Sequence, residues 1–219
     1  MRTVYLSAST QSGNIGTDGV SEKTRMRELQ SKVNWYIQQG RGDIAVYMNT
    51  EGMSLGQSIA DSNSKNPDIH VAMHSNASGG EGTEVYYSNY PILSEESKKL
   101  ATILYNNIAS VLSGNDRGVK PDTNLYSTGL AETRDTTAKA CLIEYFFHDN
   151  YNDVVDYLNK VELVAINTAR AIYEYFGIEY YVEPVVITPD PLEPTEKEKA
   201  VKYIDELKAW DLICRMFNL

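Results

Sequence analysis

The chain has 219 residues, 42% of them hydrophobic and 23% charged, enough for one substantial domain with a packed core and a short appendage, which excludes disorder as the main state. Lys+Arg 20 against Asp+Glu 30 leaves a formal net charge of -10, and an acidic surface repels phosphates, so non-specific nucleic-acid binding is excluded as the main role. The two cysteines, Cys141 and Cys214, form no CxxC pattern and no disulfide framework, and no apolar run reaches the ~18–20 residues that membrane insertion needs.

Residues 3–8 form a β-branched and aromatic run, read as a strand, that opens into a polar loop, Ser9-Thr10-Gln11-Ser12-Gly13-Asn14. The start is strand-like rather than a signal peptide, so the expectation is synthesis in the cytoplasm. From the N-cap candidate Ser21, the spacing of Met26, Leu29, Val33 and Ile37 predicts an amphipathic helix that Gly40 stops. A second strand is expected over 43–48 and a shorter helix over 55–63. Residues 68–74 are nearly continuously apolar, as in a central strand covered on both faces. Another strand over 83–87 precedes a helix over 94–111, whose stripe runs through Leu100, Leu104, Ile108 and Val111. After a Gly-rich turn the chain reads as loosely structured up to a buried strand over 139–145. Two helices follow, over 152–158 and 161–176, with Gly177 as the stop.

Strands alternating with helices predict an α/β three-layer sandwich with a mostly parallel sheet. In such sheets ligands bind beyond the carboxyl ends of the strands, which here carry Gln11, His74 and Glu144. Residues 183–194 hold four of the seven prolines and read as an extended linker. The division is therefore a main domain over 1–178, a Pro-rich linker over 179–194 and a tail over 195–219. In the tail Val201, Ile204, Leu207, Trp210, Cys214 and Phe217 recur at helical steps. A lone short helix cannot bury that stripe, so wall targeting or self-association into a homo-oligomer is expected of it.

His70 and His74 share one strand face about 13 Å apart along it, so one metal ion cannot take both. His74, at the loop, is the better ligand candidate. A carboxylate directly after an apolar strand core, as Glu144 is, is costly unless it meets a cation or moves a proton. Beside a metal-activated water it would serve as a proton shuttle. Glu22 at a helix start suits the helix dipole as well as it suits a ligand role.

Three blocks carry a resemblance: Leu6 to Gln11 through Glu22, His70-Val71-Ala72-Met73-His74-Ser75-Asn76-Ala77, and Leu142-Ile143-Glu144-Tyr145-Phe146-Phe147-His148-Asp149-Asn150. Over roughly residues 2–178 the chain resembles the zinc-dependent N-acetylmuramoyl-L-alanine amidases of the third amidase class, found as bacterial autolysins and phage endolysins. The resemblance implies a mixed six-stranded sheet between helices, peptidoglycan as substrate and one Zn2+ ion. Its ligands fall on Glu22 and His74 and its catalytic glutamate on Glu144. The family's first histidine is absent. Variants with a Ser-x-Ser-Thr-Gln turn recur as a subgroup, which puts Gln11, a weaker neutral donor, in that place; His148 is the alternative. Asn76, Asn150, Arg117 and His148 are substrate-binding candidates, Asn76 and Asn150 being equally suited to capping turns. A start without a signal peptide fits, for such an enzyme, action on the cell wall after holin-type release or cell lysis. Two rivals stand beside this reading: a cysteine hydrolase using Cys141 with His148, and a metal-free wall-binding module on the same fold.

Overall fold

The computed structural model describes residues 1–40 and 42–181. The tail, and the linker beyond residue 181, lie outside the described residues. The compact unit runs Met1–Val182.

Six strands form one sheet in the order β2-β1-β3-β6-β4-β5. They are β1 Arg2–Ala8, β2 Ile44–Met48, β3 Ile69–Asn76, β4 Glu84–Tyr87, β5 Val119–Pro121 and β6 Lys139–Phe147. β4 runs antiparallel to β6 and every other pairing is parallel. The helices are α1 Glu22–Gln39, α2 Leu55–Lys65, α3 Ser94–Ala109, α4 Ala131–Arg134 and α5 Tyr151–Tyr175. This is the mixed six-stranded α/β arrangement expected.

Alternation along each strand sorts side chains onto two faces. Val4, Leu6, Val71, Met73, Cys141 and Ile143 belong to the large apolar core, shared with buried residues of α1, α3 and α5. The opposite face carries Ser7, His70, His74 and Glu144, around a small apolar cluster of Ala72, Tyr86 and Leu142 with Leu130. α2 and α4 lie on this side, where Ser62 of α2 bonds His70 and Glu132 of α4 bonds His74.

Several expectations change. The two helices expected over 152–158 and 161–176 are one 25-residue helix, α5, because the intervening Asn159 and Lys160 are helix-compatible and contain no breaker. Gly40 does follow α1, but with φ -72 it does not use glycine's left-handed region. Its need is for space: a Cβ there would meet the side chain of buried Tyr173, whose hydroxyl donates to Ile37 O at 2.9 Å. β3 continues past His74 to Asn76, with a register irregularity between them. The stretch expected to be loose holds β5, a 3-10 turn over Asp122–Asn124 and α4.

Candidate active site

β3 and β6 are neighbouring parallel strands, and their register sets His74 opposite Glu144. Residues paired in this way point to the same face, about 4.8 Å apart. The polar loop after β1 folds over the start of α1: Glu22 N–H donates to Asn14 O at 2.8 Å and Lys23 N–H to Gln11 O at 3.3 Å. Ser21 caps the helix, its hydroxyl accepting from Thr24 N–H. The first helical residue, Glu22, is thereby turned inward and is 1% exposed.

His74 has a carboxylate on each ring nitrogen. Glu22 Oε1 lies 2.8 Å from Nδ1 and Glu132 Oε2 lies 2.8 Å from Nε2. Burial works against the charged imidazole, but Glu132 and Glu22 together hold its pKa well above the usual range. Burial likewise acts to raise both carboxyls. Hydrogen bonds from His74 and from Asn14 nevertheless hold Glu22 below its ordinary value, and those from His70 and His74 hold Glu132 well below. The side-chain amide of Asn14 donates at 2.8 Å both to Glu22 Oε2 and to Gln11 Oε1, which brings those two oxygens to one nitrogen.

Glu144 is a different carboxylate. It is partly exposed, but its Oε2 is enclosed and has no hydrogen-bond partner. Burial pushes its pKa up to about 8, only partly opposed by His74 and reinforced by Glu22, Glu84 and Glu132. Three carboxylates around one histidine therefore divide into two held ionised and one that keeps its proton near neutral pH.

These groups line one cavity of about 390 Å³, together with Asn76, Ser75, His148, Leu125 and Tyr126. Of the residues singled out in the sequence, the structure brings Gln11, Glu22, His74, Asn76, Glu144 and His148 to this cavity. Asn76 is held from below, its amide donating to Glu84. His148 Nδ1 donates to Ser75 O at 3.0 Å, fixing the ring beside the loop after β3. Arg117 and Asn150 are placed elsewhere. Arg117 pairs with Glu84 through Nε at 3.2 Å, and its guanidinium lies 4.9 Å over the Phe147 ring. Asn150 caps α5, accepting from Asn152 N–H at 3.0 Å, while its amide donates to Gly80 O at 2.9 Å. Its role is thus the turn-capping one weighed from the sequence. Cys141 is fully enclosed on the opposite face, where burial pushes its thiol up and away from the thiolate a cysteine hydrolase needs.

The residue that sequence reasoning missed is Glu132, in the four-residue helix α4. It is 4% exposed, accepts from the Ser7 hydroxyl and lies 3.5 Å from His70 Nε2. A signal was present: two histidines on one buried strand face require acceptors, and an acidic residue before β6 is the way to supply one. Among the described residues no three His, Cys, Asp or Glu side chains form a ready-made metal cage. The oxygen donors gathered by the Asn14 amide are the Glu22 carboxylate, which also meets His74 Nδ1, and the neutral amide of Gln11.

A sequence profile for the family described as N-acetylmuramoyl-L-alanine amidase matches residues 8–174. The curated protein YqiI of Bacillus subtilis (strain 168), itself uncharacterised, is 29% identical over 126 residues. That match spans 54% of this chain and 60% of YqiI, less than two thirds of the relative. The fold is shared with the catalytic domain of CwlV, an N-acetylmuramoyl-L-alanine amidase from Bacillus(Paenibacillus) polymyxa var. colistinus, at TM-score 0.70 and 24% identity over 82% of this chain and 100% of that one. It is also shared with the N-acetylmuramoyl-L-alanine amidase from Clostridium difficile 630, at TM-score 0.71 and 20% identity over 80% of this chain and 97% of that one.

Proposed function

Because the chain belongs to the N-acetylmuramoyl-L-alanine amidase family, we propose that its cavity hydrolyses the amide joining N-acetylmuramic acid to the L-alanine of the peptidoglycan stem peptide. The observation that carries this reading is Glu144: a carboxyl with an unpartnered, enclosed Oε2 and a pKa near 8, set opposite His74 on the next strand. The family is generally zinc-dependent. In this chain Glu22, His74 through Nδ1 and Gln11 are the residues that would hold Zn2+. Their chemistry fits it: one imidazole, one carboxylate and one amide oxygen, the two oxygen donors already drawn to the Asn14 amide. When bound, the ion supplies a Lewis acid that polarises the scissile carbonyl and makes hydroxide available near neutral pH.

The chain's own residues do the rest. Glu144, whose charged form a dication beside His74 would favour, once ionised takes the proton of the attacking water as the new C–O bond forms. It then returns that proton to the nitrogen of alanine as the C–N bond breaks, leaving a lactyl carboxylic acid and an amine, which exchange the acid's proton to give carboxylate and ammonium. Asn76, anchored by Glu84, and His148, anchored by Ser75, offer fixed polar groups at the cavity rim for the stem peptide. The setting we propose with this activity is cytoplasmic synthesis, with action on the wall after holin-type release or cell lysis.

Digestion of purified cell wall tests the reaction: new alanine amino groups are expected, and new reducing sugar ends with no new amino groups overturn the reading. Metal analysis of the purified chain tests the ligand set. One zinc per chain supports the enzyme, and none, together with wall binding but no hydrolysis, leaves a binding module on the same fold.

A further inference from the structure

Among the described residues His74 is the one imidazole of the cavity with a carboxylate on each nitrogen, and the two carboxylates cannot serve the same purpose. An imidazole that gives a lone pair to a cation carries its single N–H on the other nitrogen. One carboxylate therefore shares the cation with His74 and the other accepts the ring's N–H. The surroundings decide which is which.

On the Nδ1 side, beyond Glu22, lies a further oxygen donor, Gln11 Oε1, reached through the shared amide of Asn14. On the Nε2 side Glu132 meets a hydroxyl donor and a second imidazole instead of a further oxygen donor. Ser7 donates to its Oε1, and His70 Nε2 faces the same oxygen at 3.5 Å. His70 is itself fixed from behind, with Nδ1 2.9 Å from the Ser62 hydroxyl and its ring stacked on Tyr5 at 5.4 Å. A carboxylate with one oxygen already taken by Ser7 and faced by a second ring nitrogen is placed to accept hydrogen bonds, although it lines the same cavity.

We infer that Glu132 is a positioning residue, which fixes the Nε2–H tautomer and the ring plane of His74 so that Nδ1 presents its lone pair beside Glu22. The inference rests on the zinc reading of the preceding section. It assigns a purpose to a buried carboxylate that lies outside the proposed ligand set. It also explains how a site with a neutral amide among its donors keeps its hold on a dication. An anionic acceptor behind an imidazole raises the basicity of the ligating nitrogen, which replaces part of the charge that Gln11 does not bring. Ser7 is the support for Glu132, holding one carboxylate oxygen so that the other stays aimed at Nε2.

The test uses the full chain and Zn2+ as the probe. Zn2+ affinity, by competition with a chromogenic chelator, and the His74 tautomer, from imidazole 15N chemical shifts, are measured for the unaltered protein, Glu132→Gln and Ser7→Ala. For Glu132→Gln the expected result is a 10–100-fold loss of Zn2+ affinity, the range usual for outer partners of ligating histidines. The unaltered Zn2+ form is expected to carry its His74 proton on Nε2. Ser7→Ala, which removes only a hydroxyl, should lose affinity in the same direction by a smaller factor and keeps the test open if Glu132→Gln fails to fold. Unchanged Zn2+ affinity in the folded variants, or a His74 proton on Nδ1 in the Zn2+ form, overturns the inference and leaves the zinc reading standing. No Zn2+ binding by the unaltered chain overturns both.

Discussion

On one face of the sheet Val4, Leu6, Val71 and Ile143 are wholly enclosed within the core that α1, α3 and α5 share, whereas on the other face Ser7, His70, His74 and Glu144 lie among charged and hydroxyl groups beneath short elements. The same strands supply both sets, one residue apart. The first face repays the entropy of folding through buried apolar area. The second spends stability on desolvated carboxylates, and three of them surround one imidazole. A side chain on one face can therefore be altered with little direct effect on the other, and the contrast can be broken experimentally.

The largest effect is expected at Glu144. Glu144→Gln should lower the rate of wall hydrolysis by roughly 100- to 10,000-fold, the usual contribution of a general acid–base, while thermal unfolding shows a folded chain. Retained activity removes Glu144 from the chemistry. Leu6→Ala, on the apolar face, should do the reverse, costing about 2–5 kcal/mol of stability in denaturant unfolding with activity per folded molecule nearly unchanged.

The pH dependence of the metal-free protein sharpens the contrast. Below pH 4.5 Glu144 is protonated in both the folded and the unfolded chain. As pH rises from there to about 8 the unfolded chain releases this proton and the folded one keeps it, so stability falls. His74, whose pKa is raised, adds a loss of the same sign above its ordinary value of 6.5. Glu22 and Glu132, whose pKa values are lowered, act with the opposite sign below pH 4.5. Comparing unaltered protein with Glu144→Gln isolates the first contribution, of order 2–4 kcal/mol, as ~1.4 kcal/mol accrues per unit of pKa difference. Parallel stability curves from pH 5 to 8 refute it. Gly40→Ala, which forces a methyl group against Tyr173, should cost about 1–3 kcal/mol in the same unfolding assay. Smallest, Ser54→Ala removes a capping box from α2, on the polar side, and is expected to cost ~1 kcal/mol without loss of activity.

The residues legible from sequence are those whose local pattern is unusual. Glu144 stands out because a carboxylate rarely interrupts an apolar strand, and His74 because small polar residues follow it. Glu132 shows no local pattern, because α4 is one turn long and too short to show a period; its inward direction comes from contacts with Ser7 and His74, far away in sequence, and only the need of two buried histidines for an acceptor hints at it. Arg117 and Asn150 show the converse. An exposed arginine for a ligand and one that pairs with Glu84 look alike in sequence, as do an asparagine for a substrate and one that caps α5. The division of α5 into two helices failed because a change from apolar to polar residues in a long helix marks a rotated face as readily as an end.

The register that sets His74 against Glu144 has one more consequence. Their separation is not a continuous variable. Sliding β6 by one residue along β3 would turn Glu144 through to the helical core, and sliding it by two would carry it ~6.6 Å away on the correct face. The distance between the His74 imidazole and the Glu144 carboxyl is thus quantised by the hydrogen-bond ladder. Variation in such a site is confined to what side chains and loops can reach, and Gln11 stands on such a loop.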